Sequence, residues 1–266
     1  MSAQNENLVI VIPARKNSKR LRSKNLKHFY GFPLFEWSLA AGLFLKQKLS
    51  NLRKIFVVCT SDDDEVLNLV KKKYSSSVLA VRRKPELSDD NSALSDVIID
   101  CIHRLASENV IRLDDYLRGR YILLQPTSPV RLKYDLIYFS EQIKKFDKSS
   151  AVVSVNKRNK ETKDVYELIY HGEISPDSSI CHIGRQLLTS QEIQNNSNTA
   201  FVDGSLYLGS IYNLREKGFM PEDKTLAFPL SIDCSIDIDT EEEFEKALVL
   251  IKKLECLGID YVKPSI

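Results

Sequence analysis

Short apolar runs alternate along the chain with longer stretches whose apolar positions recur at helical spacing. The β-branched run at 8–12 predicts a buried strand ending at Pro13. Pro33 opens LFEWSLAAGLFLKQKL, and proline suits the first turn of a helix. IFVVC at 55–59 predicts a second buried strand. Thr60, Ser61 and Asp62 offer capping side chains, and 65–74 reads as a helix. A third strand follows at 77–81, a helix with a polar start at 91–105, and a fourth strand, YILLQ, at 121–125, broken by Pro126. Residues 134–146 read as helix and 151–155 as a fifth strand.

Strands alternating with helices predict right-handed crossovers and a parallel, three-layer α/β sheet. In such sheets ligands sit beyond the carboxyl ends of the strands. The polar loops at 13–27, 60–64, 82–92 and 125–131 each follow a strand end, so one site can gather all four. From 156 to 200 the pattern loosens, with one hairpin strand at 165–169 and an Asn/Gln-rich stretch, QEIQNNSNTAF. That region is either a long surface excursion or an arm that covers substrate or pairs with a second subunit. Strands resume at 205–208 and 225–229, and 241–254 closes the pattern as a helix.

Composition narrows the function. With 266 residues, 43% of them hydrophobic, the chain can bury a sizeable core in one domain or a domain with an appendage. Its 38 basic and 36 acidic residues give a net charge of +2, too balanced for a general nucleic-acid binder. Cysteines at 59, 101, 181, 234 and 256 show no CxxC pairing and no histidine at metal-ligand spacing, as expected of buried reduced thiols in a cytoplasmic protein. The first residues lack the basic and long apolar regions of a signal peptide. No apolar run approaches the ~20 residues of a membrane span. Histidines at 28, 103, 171 and 182 are scattered; His103, beside apolar residues on a helix, reads as structural, and the lone Trp37 as core.

Against that balance, one charge run stands out. Arg15, Lys16, Lys19, Arg20, Arg22, Lys24 and Lys27 fall in one loop without an acidic residue. A strand feeding a loop and then a helix can present backbone N–H groups and cations to a polyphosphate. No GxxxxGK[ST] or GxGxxG is present, and a solvated basic face remains the competing reading. The stretch SIDIDTEEEF at 235–244 places Asp237 and Asp239 on one face of an extended strand, with Ile236 and Ile238 toward the core. Two hard carboxylates side by side suit Mg²⁺ with phosphate oxygens; alternatively, Asp239 caps the following helix and Asp237 is solvated. LLQPTSPVR at 123–131 holds Thr127 and Ser128 between prolines, with Gln125 able to donate and accept. RRKPELSDDNS at 82–92 offers Arg82 and Arg83 as readers of a pyrimidine carbonyl or a phosphate, or as part of a surface charge run.

In this order the segments resemble the acylneuraminate cytidylyltransferases, the CMP-sialic acid synthetases. Pro13-Ala14-Arg15, Ser18-Lys19 and Lys24-Asn25 match the family's PARxxSKxxPxKN; Thr60-Ser61-Asp62-Asp63 loosely matches STDD. Arg83, Glu86, Leu87 and Asp90 match RPxELxxD, and 123–131 matches LLQPTSPLR except at Val130. Asp203-Gly204-Ser205-Leu206-Tyr207 is similar to NGAIYI, and SIDIDT at 235–240 is identical. The resemblance spans about residues 8–255. It implies a Rossmann-like nucleotidyltransferase domain over 1–155 and 205–266, with a small dimerisation and substrate-covering arm at 156–204. It implies Mg²⁺-dependent joining of CTP to a nine-carbon 2-keto sugar acid such as sialic, legionaminic or pseudaminic acid, in a cytoplasmic homodimer without nucleic-acid or membrane partners. Carried over by position, Arg15 and Lys24 bind the triphosphate beside Asn25, Arg83 meets the cytidine and Gln125 the sugar acid. Asp237 and Asp239 hold Mg²⁺, and Arg185 and Gln186 keep two residues of an RRQ segment that meets the sugar acid.

Three departures stand in the matched motifs. Arg22 replaces a proline, Asn91-Ser92-Ala93-Leu94 replaces T-A-S-S, and Asp203 replaces an asparagine, which hints at a different sugar. Alternative readings are a CMP-Kdo synthetase, a glycosyltransferase using a finished sugar nucleotide, and a non-catalytic nucleotide-binding subunit.

Overall fold

A computed structural model of the chain describes residues 7–52, 54–89, 92–114, 118–148, 150–156, 165–169, 181–186, 199–218, 225–230 and 236–265. Strand β1 (Asn7–Pro13) runs parallel to β4 (Lys54–Ser61) on one side and β6 (Arg120–Leu123) on the other, and β5 (Val78–Arg82) extends the parallel set beyond β4. The uninterrupted apolar sequence of β1 follows from burial on both faces. Leu8, Ile10 and Ile12 enter one core cluster with Phe35, Leu39 and Leu45 of α1 (Leu34–Lys48) and Leu136 and Phe139 of α4 (Lys133–Gln142). Val9 and Val11 enter a second with Ile98, Cys101 and Ile102 of α3 (Leu94–Ser107) and Ile211 and Leu214 of α5 (Ile211–Lys217). These faces make the three layers of an α/β fold.

The sheet is mixed rather than wholly parallel. The long strand β10 (Thr199–Ser210) lies antiparallel between β6 and β7 (Ala151–Asn156). The direction of a buried strand is set by the connection that delivers it, and its own apolar pattern carries none of that information. β10 is preceded by β8 (Val165–Ile169) and β9 (Cys181–Gln186), which pair antiparallel with each other; β9 also pairs with β11 (Thr225–Pro229) and β8 with the start of β10. The expectation for 165–169 matches β8, whereas β9 was not expected from the pattern.

Element ends shifted where local chemistry decided them. Helix α2 (Asp64–Tyr74) is capped by Asp63, whose carboxylate accepts from Glu65 N at 3.0 Å, not by the three residues before it. Tyr30 and Gly31 (φ 44° and 90°) turn a two-residue hairpin between β2 (His28–Phe29) and β3 (Phe32–Pro33). A third cluster packs Phe29, Trp37, Ile238 and Tyr261 against Phe244, Ala247 and Ile251 of α6 (Glu241–Cys256). Trp37 is fully buried and its indole N–H donates to Phe29 O at 3.0 Å. This cluster fastens α6, and the residues just before it, to the loop after β1.

Candidate active site

The loop after β1 is anchored at both ends. Ala14 N donates to Thr60 O at 2.9 Å, and Lys16 N to the Asp62 carboxylate at 2.8 Å. Lys24 and Asn25 occupy a single 3₁₀ turn, Lys24–Leu26, and both are buried. The Asn25 amide donates to Arg15 O at 2.7 Å and so fixes the backbone of the loop's first arginine. Lys24 Nζ reaches Asp239 Oδ1 at 2.7 Å, and the exposed Arg20 guanidinium reaches Oδ2 at 2.6 Å.

Residues 236–239 do not form the strand read from SIDIDT. The alternation nevertheless holds: Ile238 is fully buried, its N–H donates to Thr127 O at 2.7 Å, and Asp237 and Asp239 on either side line one cleft. Asp239 is not the helix cap. Thr240 caps α6, and Glu243 returns a capping box, its Oε2 accepting from both Asp239 N and Thr240 N at 2.8 Å. The Thr240-x-x-Glu243 spacing is the sequence signal for this cap. Asp237 presents surface to solvent, yet desolvation of its carboxyl in the cleft raises it above the ordinary carboxylate value. A hydrogen bond from Thr127 opposes that shift, neighbouring Asp239 adds to it, and Lys24 relieves part of it.

The cleft has a volume of about 300 Å³ and brings together Arg15, Lys24, Asn25, Arg83, Gln125, Asp237 and Asp239. Arg20 and Thr127, which the sequence reading quoted without assigning them a site role, line it as well. Arg83 is 4% exposed; its NH2 donates to Thr60 O at 3.1 Å, while its Nε has no hydrogen-bond partner. Burial lowers its pKa and the Asp62 charge opposes that. A larger groove of about 780 Å³ shares Arg15, Arg83 and Asp89 with the cleft and adds Arg82, Lys84 and Arg104. Gln186 is exposed on β9; the side chain of Arg185 lies outside the described residues, as do Asp90 and Asn91. His103 sits exposed on α3 rather than in the core, and Cys256 is exposed, unlike the buried thiols Cys59 and Cys101.

Asp203 has a structural reason that needs no unusual sugar. It is 4% exposed, accepts from the Ser154 hydroxyl and, at 3.0 Å, from Ser205 N. Its charge faces the buried Arg131, whose pKa desolvation pulls down to about 9 and Asp203 pushes back up.

Residues 9–254 match the family model described as "Cytidylyltransferase". This chain belongs to the cytidylyltransferase family. It is 31% identical over 235 residues to a CMP-N,N'-diacetyllegionaminic acid synthase of Legionella pneumophila, covering 88% of this chain and 91% of that one. A pseudaminic acid cytidylyltransferase of Campylobacter jejuni is 28% identical, with 91% and 95% covered. An N-acylneuraminate cytidylyltransferase of Escherichia coli is 26% identical over 95% of this chain, which spans 54% of that longer protein. The solved CMP:2-keto-3-deoxy-manno-octonic acid synthetase complexed with CTP superposes with a TM-score of 0.61 at 16% identity, covering 93% of this chain and 99% of that one. That likeness shows the α/β fold.

The donor set can be weighed against the divalent metal that nucleotidyltransferases of this family generally use. Asp237 offers hard oxygen ligands at the cleft wall, and Asp239 can join it once a metal displaces Lys24 or Arg20 from its two oxygens. Among the described residues no group of three His, Cys, Asp or Glu side chains could hold a metal ion by itself. Two carboxylates without a protein cage fit an ion that completes its shell with water and substrate phosphate oxygens. No helix among the described residues is long and apolar enough to cross a membrane.

Proposed function

We propose that the cleft joins CTP to a nine-carbon 2-keto sugar acid, giving a CMP-sugar and pyrophosphate. The observation that carries the reading is that the cations Arg15 and Lys24 and the acid pair Asp237 and Asp239 line one cleft, with Lys24 paired to Asp239. The anomeric hydroxyl oxygen of the acid forms a bond to the α-phosphorus of CTP as the bond from that phosphorus to the bridging oxygen of pyrophosphate breaks. The hydroxyl proton passes to solvent. Arg15 and Lys24 stabilise the charge on the departing pyrophosphate, and Asp239 keeps Lys24 aimed into the cleft. Arg83, buried beside the cleft, meets the cytidine, and Gln125 meets the sugar acid. Asp237 and Asp239 would hold Mg²⁺, which supplies Lewis acidity at the α-phosphate. Alignment and charge account for the rate, so no covalent enzyme intermediate enters.

The names of the relatives support a nine-carbon acid over Kdo: those of 26–31% identity are named for legionaminic, pseudaminic or acylneuraminic acids. The segment 156–204 serves in this reading as the arm that covers substrate and joins a homodimer, in a cytoplasmic enzyme. The test is pyrophosphate release with CTP and Mg²⁺ plus N-acetylneuraminic, legionaminic, pseudaminic or Kdo acid in turn. Release that requires both CTP and a nine-carbon acid supports the proposal. Turnover only from a preformed CMP-sugar marks a glycosyltransferase, turnover with Kdo alone the eight-carbon branch, and no turnover a binding subunit. Sedimentation of the full chain reads the dimer.

A further inference from the structure

We propose that Arg131 is a positioning residue for the sugar-acid side of the cleft. With Asp203 as counter-charge, it fixes the backbone at Gln125 and thereby aims the Gln125 side chain. The inference rests on the reading of Gln125 as a sugar-acid contact.

Arg131 is 4% exposed, and its guanidinium ties three elements together. Nε donates to Ser205 O of β10 at 2.9 Å, NH1 to Ser38 Oγ of α1 at 3.0 Å, and NH2 to Gln125 O at 2.9 Å. Ser38 Oγ donates to the same Gln125 carbonyl at 3.0 Å, so that carbonyl is held from two directions. Arg131 lies six residues beyond Gln125 and closes the loop on itself, with Pro126 and Pro129 inside the clasp.

The segment facing this loop touches it at each of three successive residues. Asp203 O accepts from Ser128 Oγ at 3.2 Å, and Ser205 O accepts from Arg131. Between them Gly204 (φ +75°) has no Cβ, and one placed there would stand 3.0 Å from Gln125 Oε1 and 3.3 Å from Ser128 Oγ. The glycine thus leaves the space in which the Gln125 amide rests.

Packing alone does not call for a buried cation here. An apolar side chain of similar volume would hold the loop without the cost of desolvating a charge. What it would lack is a rigid fork able to reach three acceptors at once. The buried acid beside it fits that account: Asp203 is fixed by Ser154 and by Ser205 N where it can balance the guanidinium.

The experiment compares Asp203→Asn, Arg131→Lys and the double variant Asp203→Asn/Arg131→Met, with Gln125→Ala as a separate control. Each is measured by thermal unfolding and by initial rates with CTP and whichever of N-acetylneuraminic, legionaminic and pseudaminic acids wild type turns over fastest. Asp203→Asn should lower Tm, because it strips the buried cation of its counter-charge. The double variant should recover most of that Tm, since neither charge remains. Its KM for the sugar acid should stay raised by roughly tenfold while KM for CTP stays within about twofold. Recovery of the sugar-acid KM together with Tm would reduce Arg131 to a structural role and overturn the proposal. Arg131→Lys keeps the charge balance but loses the fork, so a wild-type sugar-acid KM in that variant overturns it as well, even if the double variant does not fold. Gln125→Ala, in which Arg131 is intact, tests the underlying reading alone: an unchanged sugar-acid KM there removes Gln125 from the substrate site.

Discussion

Lys24 Nζ and Asp239 Oδ1 stand 2.7 Å apart although 215 positions separate them in sequence. The lysine is buried and the aspartate partly so. The pair joins the basic loop after β1 to the acidic stretch before α6, and it gives the cleft two walls of opposite sign.

Replacing Asp239 by Ala should lower turnover by roughly 10²-fold or more, as expected when charge stabilisation aimed at the transition state is lost. The same change leaves Lys24 without its carboxylate partner, at a stability cost of about 1–2 kcal/mol for a pair that is only partly buried. Steady-state rates and urea denaturation on one preparation measure both effects. Full activity in Asp239→Ala would refute the metal and triphosphate assignments together.

Arg83 allows a sharper division between the two substrates. Its guanidinium is buried in the cleft wall and bonded to Thr60 O. Arg83→Ala should raise KM for CTP by about 10- to 100-fold, the loss of a charge-assisted contact of roughly 1.5–3 kcal/mol. The sugar-acid KM should hardly change. Varying each substrate at saturating levels of the other separates the outcomes.

A third prediction concerns the sheet. Gly209 lies opposite Tyr121 across the antiparallel β10–β6 pair, and a Cβ on Gly209 would come within 2.6 Å of the Tyr121 hydroxyl oxygen. Tyr121 is itself 2% exposed, so it has little room to give way. Gly209→Ala should therefore destabilise by about 1–3 kcal/mol through overpacking. Chemical denaturation measures it, and a smaller residue at Tyr121 in the same chain should return part of the loss.

The cysteines should divide by site under alkylation. Burial pushes the Cys59 thiol up to about 12 and moves Cys101 in the same direction, so neither offers a thiolate at neutral pH. Cys256 is exposed. Brief iodoacetamide treatment followed by peptide mass spectrometry should label Cys256 in the native protein, and Cys59 and Cys101 only after unfolding.

Much of this architecture was legible in the sequence because burial on two faces leaves an unmistakable trace. The short β-branched run LVIVI reads as a strand buried on both faces, and α6 repeats its buried apolar positions at 244, 247, 251 and 254. Strand direction was not legible: β10 has an ordinary apolar pattern, and its antiparallel course depends on the excursion that delivers it. In the site, charge drew attention to the loop after β1 and spacing to Asp237 and Asp239, the family resemblance picked Arg15 and Lys24 from that loop, and the fold gathers all four into one cleft. The partners that orient them were harder to see. Neither the hold of Asn25 on Arg15 nor that of Arg131 on Gln125 follows from spacing, because each depends on how a loop turns back. Asp203 misled in the opposite direction, since a substitution beside a substrate motif is indistinguishable in sequence from one that neutralises a buried arginine.

The capping box at the head of α6 has a further effect. Glu243 Oε2 accepts from the backbone N–H of Asp239 as well as from Thr240, so the carboxylate that secures the helix also anchors the acidic wall of the cleft. Fraying of that first helical turn on warming would displace Asp239 while the parallel strands remain paired. Heat inactivation would then run ahead of global melting, and the working temperature limit would be set by one helix end rather than by the core.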